Sequence, residues 1–154
     1  MNHYLSAINI ILIDRNDTGI IRPSAPATPS IGMKKILIVD DHADIRRLIR
    51  LTLEFERYDI VEAADGISAL ELAASTRPDV VLLDVMMPGD IDGLEVCRRI
   101  KAKAAPGSAK VIMLSARGQT RDREAGLQAG ADAYLVKPFS PLQLIDYLAA
   151  MTQA

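Results

Sequence analysis

From Lys34 onward, short apolar runs alternate five times with stretches of helical periodicity. No other feature of the chain constrains its fold as tightly. Lys35–Val39, Val80–Leu83 and Lys110–Leu114 are nearly continuous apolar runs, as expected of strands buried on both faces. Asp59–Ala63 and Ala133–Val136 read as two further strands. Helices are expected at about Ala43–Glu56, from Asp65-Gly66 through ISALELAAS, at Gly93–Ala104, at Gln119–Ala129, and from Ser140-Pro141 to about Met151. The first places Ile45, Leu48, Ile49, Leu51 and Leu53 on a 3.6-residue period. The stop signals are Arg77-Pro78, Pro106-Gly107 and Gly130, and Ser140 before Pro141 is an N-cap followed by proline at the first helical position. The expected class is α/β, a doubly wound five-stranded parallel sheet with helices on both faces. In such sheets ligands sit beyond the carboxyl ends of the strands.

Those ends carry chemistry. Strand 1 ends in Asp40-Asp41, strand 3 in Asp84, strand 4 in Ser115 and strand 5 in Lys137-Pro138. Each has an ordinary reading alone: Asp41 as the cap of helix 1, Asp84 as a turn acid before Met87-Pro88-Gly89, Ser115 as a cap or turn residue, Lys137 as a solvated cation. Their shared edge argues for a site. Two carboxylates ~4 Å apart at an effective dielectric of ~20 repel by about 4 kcal/mol. A divalent cation that prefers oxygen, most simply Mg²⁺, relieves that repulsion and keeps positions open for water and a phosphoryl group. A carboxylate there is placed to act as nucleophile and form an aspartyl-phosphate. The metal and Lys137 would stabilise charge on the equatorial oxygens, and Ser115 would donate to one of them.

Composition removes several classes. Across 154 residues, 18 Lys and Arg stand against 20 Asp and Glu, a net charge of -2 that offers no electrostatic footprint for nucleic acid. Cys97 is the single cysteine, so an internal disulfide is impossible and a reducing compartment fits. Ile10–Ile13 is too short for a signal-peptide core, no basic region precedes it, and no apolar run approaches the ~20 residues of a membrane span. A cytoplasmic protein without membrane contact is expected. Arg22–Gly32 holds three prolines among small residues and reads as a linker, so residues 1–32 are expected to be a disordered, dispensable extension and residues 33–154 one domain.

The segments ILIVDDHADIRRL, PDVVLLDVMMPGDIDGLEVCRRI, KVIMLSARG and AGADAYLVKPFSPLQL closely resemble the receiver domain of two-component response regulators, over about Lys34 to Met151. The resemblance implies a flavodoxin-like fold with strand order 2-1-3-4-5. It implies a signalling receiver rather than an enzyme, with Asp84 as phosphoacceptor, supplied by a sensor histidine kinase or phosphotransfer protein. Asp40, Asp41, Asp84 and the backbone carbonyl of Met86 would hold Mg²⁺. Lys137 would contact the phosphoryl group, through a residue whose bond to Pro138 is cis. Ser115 and Tyr134 would form the switch, the aromatic moving into space that the hydroxyl leaves. The face of helix 4, strand 5 and helix 5, with Arg117, Gln119, Arg121, Arg123 and Gln143, would meet a downstream protein.

The pattern departs from the family at Pro88–Gly93, which holds one extra residue; its Asp90 and Asp92 read as solvated loop charges. Because the chain stops at Ala154, just past helix 5, a stand-alone receiver is expected, with output by protein contact or phosphoryl relay and no direct DNA binding. A haloacid-dehalogenase-type phosphatase is the alternative. It needs an acid two residues after the nucleophile, where this chain has Met86. A flavin- or nucleotide-binding module needs a hydroxyl- and glycine-rich loop after strand 1, where this chain has DDHAD. His42 reads as a solvated residue early in helix 1 that is also placed to modulate metal binding, and Cys97 as a small buried residue.

Overall fold

The apolar runs and helical periodicities take the expected order: β1 (Lys34–Val39), α1 (Ala43–Thr52), β2 (Tyr58–Ala63), α2 (Gly66–Thr76), β3 (Val80–Asp84), α3 (Gly93–Ala102), β4 (Lys110–Ser115), α4 (Thr120–Gln128), β5 (Ala133–Val136) and α5 (Pro141–Thr152). The structure is a computed structural model that describes residues 32–103, 109–116 and 120–152. The readings of residues 1–31, Ala104, Pro106-Gly107, Arg117 and Gln119 lie outside the described residues. The chain divides into units Met1–Gly32 and Met33–Ala154, and every element named here belongs to the second.

The strands form one parallel sheet in the order β2-β1-β3-β4-β5. The three strands with nearly continuous apolar runs, β1, β3 and β4, are the interior ones. Their alternate residues feed two cores. Leu37, Val39, Val81, Leu83, Val111 and Met113 pack with Ala69 of α2 and with Val96 and Cys97 of α3. Ile36, Ile38, Val80, Leu82, Ile112 and Leu114 pack on the other face with Ile49 of α1 and with Leu144 and Leu148 of α5. Each interior strand is thus buried from both sides, which a period-2 side-chain pattern requires of a sheet between two helical layers.

Capping explains where several helices begin. Asp65 accepts from the Ser68 N–H at the start of α2, Asp92 from the Glu95 N–H at the start of α3, and Ser140 Oγ from the Gln143 N–H at the start of α5. The exposed loop acid Asp92 is therefore a cap as well as a solvated charge. Helix α1 stops four residues earlier than its apolar pattern suggests. Beyond it Glu54 and Glu56 donate to Leu51 and Leu53, the tighter i→i−3 pattern of an unwinding helix end. Only Ile49 and Leu53 of its apolar set are fully buried; Leu48 and Leu51 face solvent.

The two edges of the sheet treat acids differently. At the amino edge, Asp79 accepts from the Lys35 N–H at 2.8 Å, and Asp132 accepts from the Val111 N–H at 2.8 Å. Asp132 also meets the Lys101 ammonium at 2.6 Å. Each carboxylate there stitches neighbouring strand ends together. The carboxyl edge is organised otherwise.

Candidate functional site

Register fixes the carboxyl edge. Val39 pairs with Leu83, Asp84 with Leu114, and Ser115 with Val136, so the residues just past these positions converge. Both β3 and β4 run one residue further than the apolar pattern alone indicates, taking Asp84 and Ser115 into the sheet. Backbone bonds then lock the edge: Asp40 N–H to Ala63, Val85 N–H to Leu114, and Lys137 N–H to Ser115.

Asp40 is fully buried, Asp84 is 4% exposed and Ser115 is 1% exposed. The Lys137 ammonium reaches between the acids, 2.8 Å from Asp40 Oδ2 and 3.4 Å from Asp84 Oδ1. Its peptide bond to Pro138 is cis, as the resemblance implies. The Met86 N–H faces Asp84 Oδ1 at 3.4 Å, while the Met86 side chain points to solvent. Burial lifts the Asp84 carboxyl above its ordinary value; the Lys137 charge opposes this and the Asp40 charge adds to it.

Asp41 does not cap α1. The cap position belongs to His42, whose side chain makes no capping bond. Asp41 Oδ1 is instead a buried oxygen that accepts no hydrogen bond. One ligand atom each from Asp40, Asp41, His42 and Asp84 all lie within 4.8 Å of one another. Set against Lys137, three carboxylates leave about two uncompensated negative charges in a largely buried space. An oxygen-rich donor set with an orphaned buried acceptor fits a hard divalent cation.

Tyr134 is buried, with its ring edge against Gly126 of α4, where a Cβ would stand 3.2 Å from Tyr134 Cδ2, and it pairs in register with Met113 of β4. Two supporting residues were not singled out in the sequence. Arg46 Nη1 donates to the Asp40 carbonyl at 2.7 Å, and Arg46 and Arg50 both pair with Glu62 on β2. The signal was a basic residue one turn into the helix that follows the acid pair. Gly93 lets the start of α3 sit directly on the end of β3, because a Cβ there would overlap the Asp84 carbonyl oxygen. Among the polar residues expected on the α4–β5–α5 face, Arg121, Arg123 and Gln143 are described.

Comparison with known proteins agrees with this geometry. The family model described as the response regulator receiver domain matches residues 36–149. The transcriptional regulatory protein ResD of Bacillus subtilis is 50% identical over 111 residues, covering 72% of this chain and 45% of that protein. The response regulator MprA of Mycobacterium sp. (strain KMS) is 44% identical over 117 residues, covering 76% of this chain and 50% of that protein. This chain therefore spans about half the length of the curated relatives it matches. The solved structure of the Vibrio cholerae chemotaxis protein CheY4, crystallised at low pH, superposes with a TM-score of 0.72 at 34% identity, covering 77% of this chain and 98% of that one.

Proposed function

The chain belongs to the response regulator receiver family of two-component systems, and from that membership we propose that it is a switch phosphorylated on Asp84. The observation that carries the reading is the buried Asp84 carboxylate held beside the Lys137 ammonium at the carboxyl edge of the sheet. Lys137 and the Met86 N–H both engage Oδ1, which leaves Oδ2 to attack. In the proposed step, Oδ2 bonds to the phosphorus of a phosphohistidine on a sensor kinase or phosphotransfer protein. The P–N bond breaks, and the departing imidazole nitrogen keeps the electron pair and takes a proton. Lys137 neutralises charge on the phosphoryl oxygens, and the Ser115 hydroxyl, two strands' width from β1 and beside β3, donates to one of them.

Asp40, Asp41 and Asp84, with the Met86 backbone carbonyl, would hold Mg²⁺, which when bound supplies charge neutralisation for the transferring group. The orphaned Asp41 Oδ1 supports that assignment. The chain acts on itself rather than turning over a substrate. The phosphatase alternative gains nothing from the site, since the position of its general acid is occupied by Met86.

Phosphorylation adds about -1.5 to -2 charges and three acceptor oxygens. Drawing Ser115 toward them frees space beside β4 for Tyr134 and changes the α4–β5–α5 surface, a bistable element biased by local charge. That surface is proposed to meet a protein partner or pass the phosphoryl on, without direct DNA contact by residues 33–154. Residues 1–32 are proposed to be dispensable for the switch, and the cytoplasm is its proposed location. No helix among the described residues is long and apolar enough to cross a membrane.

Incubating the intact chain with acetyl phosphate and Mg²⁺ tests the reading by mass spectrometry. The expected result is a gain of one phosphoryl group that Asp84→Asn abolishes. An unchanged mass for the wild-type chain would refute it.

A further inference from the structure

His42 carries an inference that goes beyond an all-oxygen Mg²⁺ site and rests on the reading that Asp40, Asp41 and Asp84 hold a divalent cation. Its ring Nδ1 lies 3.2 Å from Asp40 Oδ1 and 3.2 Å from Asp41 Oδ1. Two neighbouring ligands that each stand ~2.1 Å from one ion at right angles are about 3 Å apart. The spacing is that of adjacent donors around a shared point. The ring hydrogen-bonds Asp40 Oδ1, whereas Asp41 Oδ1, equally near, is a buried oxygen that accepts no hydrogen bond. The backbone holds the ring in place: the His42 N–H donates to Asp40 Oδ1 at 2.8 Å, and Arg46 pins the Asp40 carbonyl.

We propose that His42 Nδ1 is a ligand of this site, turning it into a mixed nitrogen and oxygen centre that favours divalent transition cations over Mg²⁺. Mg²⁺ takes oxygen donors, whereas imidazole suits the later first-row ions, whose affinity for such sites rises from Mn²⁺ through Co²⁺ to Ni²⁺. The side chain is 67% exposed and makes no capping bond, so its replacement leaves the fold of the edge intact.

The test uses the whole chain and the metals alone. Pulsed electron paramagnetic resonance of bound Mn²⁺ is expected to show coupling to a ring nitrogen in wild type, lost in His42→Ala. Competition titrations are expected to show the Co²⁺ dissociation constant rising about tenfold or more in His42→Ala, with the Mg²⁺ constant changing less than about twofold. Mn²⁺ that binds without nitrogen coupling, with an unchanged Co²⁺ to Mg²⁺ ratio in the variant, would overturn the proposal while leaving the Mg²⁺ reading standing. Absence of saturable binding by any of the three metals would overturn both.

Discussion

Replacing Asp84 with asparagine is expected to stabilise the metal-free protein. Asp84 shares its pocket with Asp40 and Asp41, whose ligand atoms lie at most 4.8 Å away. At an effective dielectric of ~20, each repulsion is at least about 3.5 kcal/mol. The attraction to Lys137 at 3.4 Å is about 5 kcal/mol on the same scale. Two repulsions exceed one attraction by about 2 kcal/mol, and the burial of the carboxylate acts in the same direction. Lys137 keeps its closer partner, Asp40, in the variant. Urea unfolding at neutral pH in a chelator should therefore show Asp84→Asn more stable by about 2 kcal/mol, or about 8 °C in midpoint temperature for a domain of this size. The pH dependence follows from the raised carboxyl. A group whose folded value is raised contributes stability that is fully present below its ordinary value of 3.8 and lost as pH rises through the folded value. The advantage of the variant should thus vanish in acid and grow toward neutrality. Saturating Mg²⁺ should remove it, because a ligand at a hundred times its dissociation constant stabilises by about 2.7 kcal/mol and the variant has lost one donor. A variant less stable than wild type in chelator at neutral pH, or a gap that ignores pH, would refute the account.

Gly93→Ala should cost about 1–3 kcal/mol in denaturant unfolding and slow acetyl phosphate labelling, since the new methyl forces α3 away from the Asp84 carbonyl. Asp92→Ala should lose about 1 kcal/mol while Asp90→Ala stays near wild type in the same assay, because only Asp92 caps α3. Ser115→Ala should leave Mg²⁺ affinity unchanged, measured by titration, yet slow the appearance of phosphorylated protein. The Cys97 thiol, buried and pushed up to about 11 by desolvation, should resist alkylation in native protein at pH 8 and react readily once unfolded, as followed by mass.

Much of this was legible before any coordinates. An apolar run that ends in a charge marks where a buried strand meets the sheet edge, so Asp40, Asp84, Ser115 and Lys137 could be placed together from spacing alone. The order of the strands could not; it came from resemblance, since pattern says which strands are interior but not which are neighbours. The end of α1 was misjudged because Leu51 and Leu53 prolong an apolar signal that a solvent-facing position such as Leu51 also carries. Asp92 was readable as a cap, with Glu95 three residues on, but its place in an acidic loop masked that pattern. The direction of the His42 ring and the reach of Arg46 to a backbone carbonyl are side-chain geometry, which residue order does not encode.

Asp79 and Asp132 spend their charge on neighbouring strands, whereas Asp40, Asp41 and Asp84 of the opposite rim crowd together around the single Lys137 ammonium. Substitutions at the first rim are therefore expected to change how firmly the strand ends are held without altering the acid cluster. Substitutions at the second are expected to alter the cluster and leave the scaffold in place.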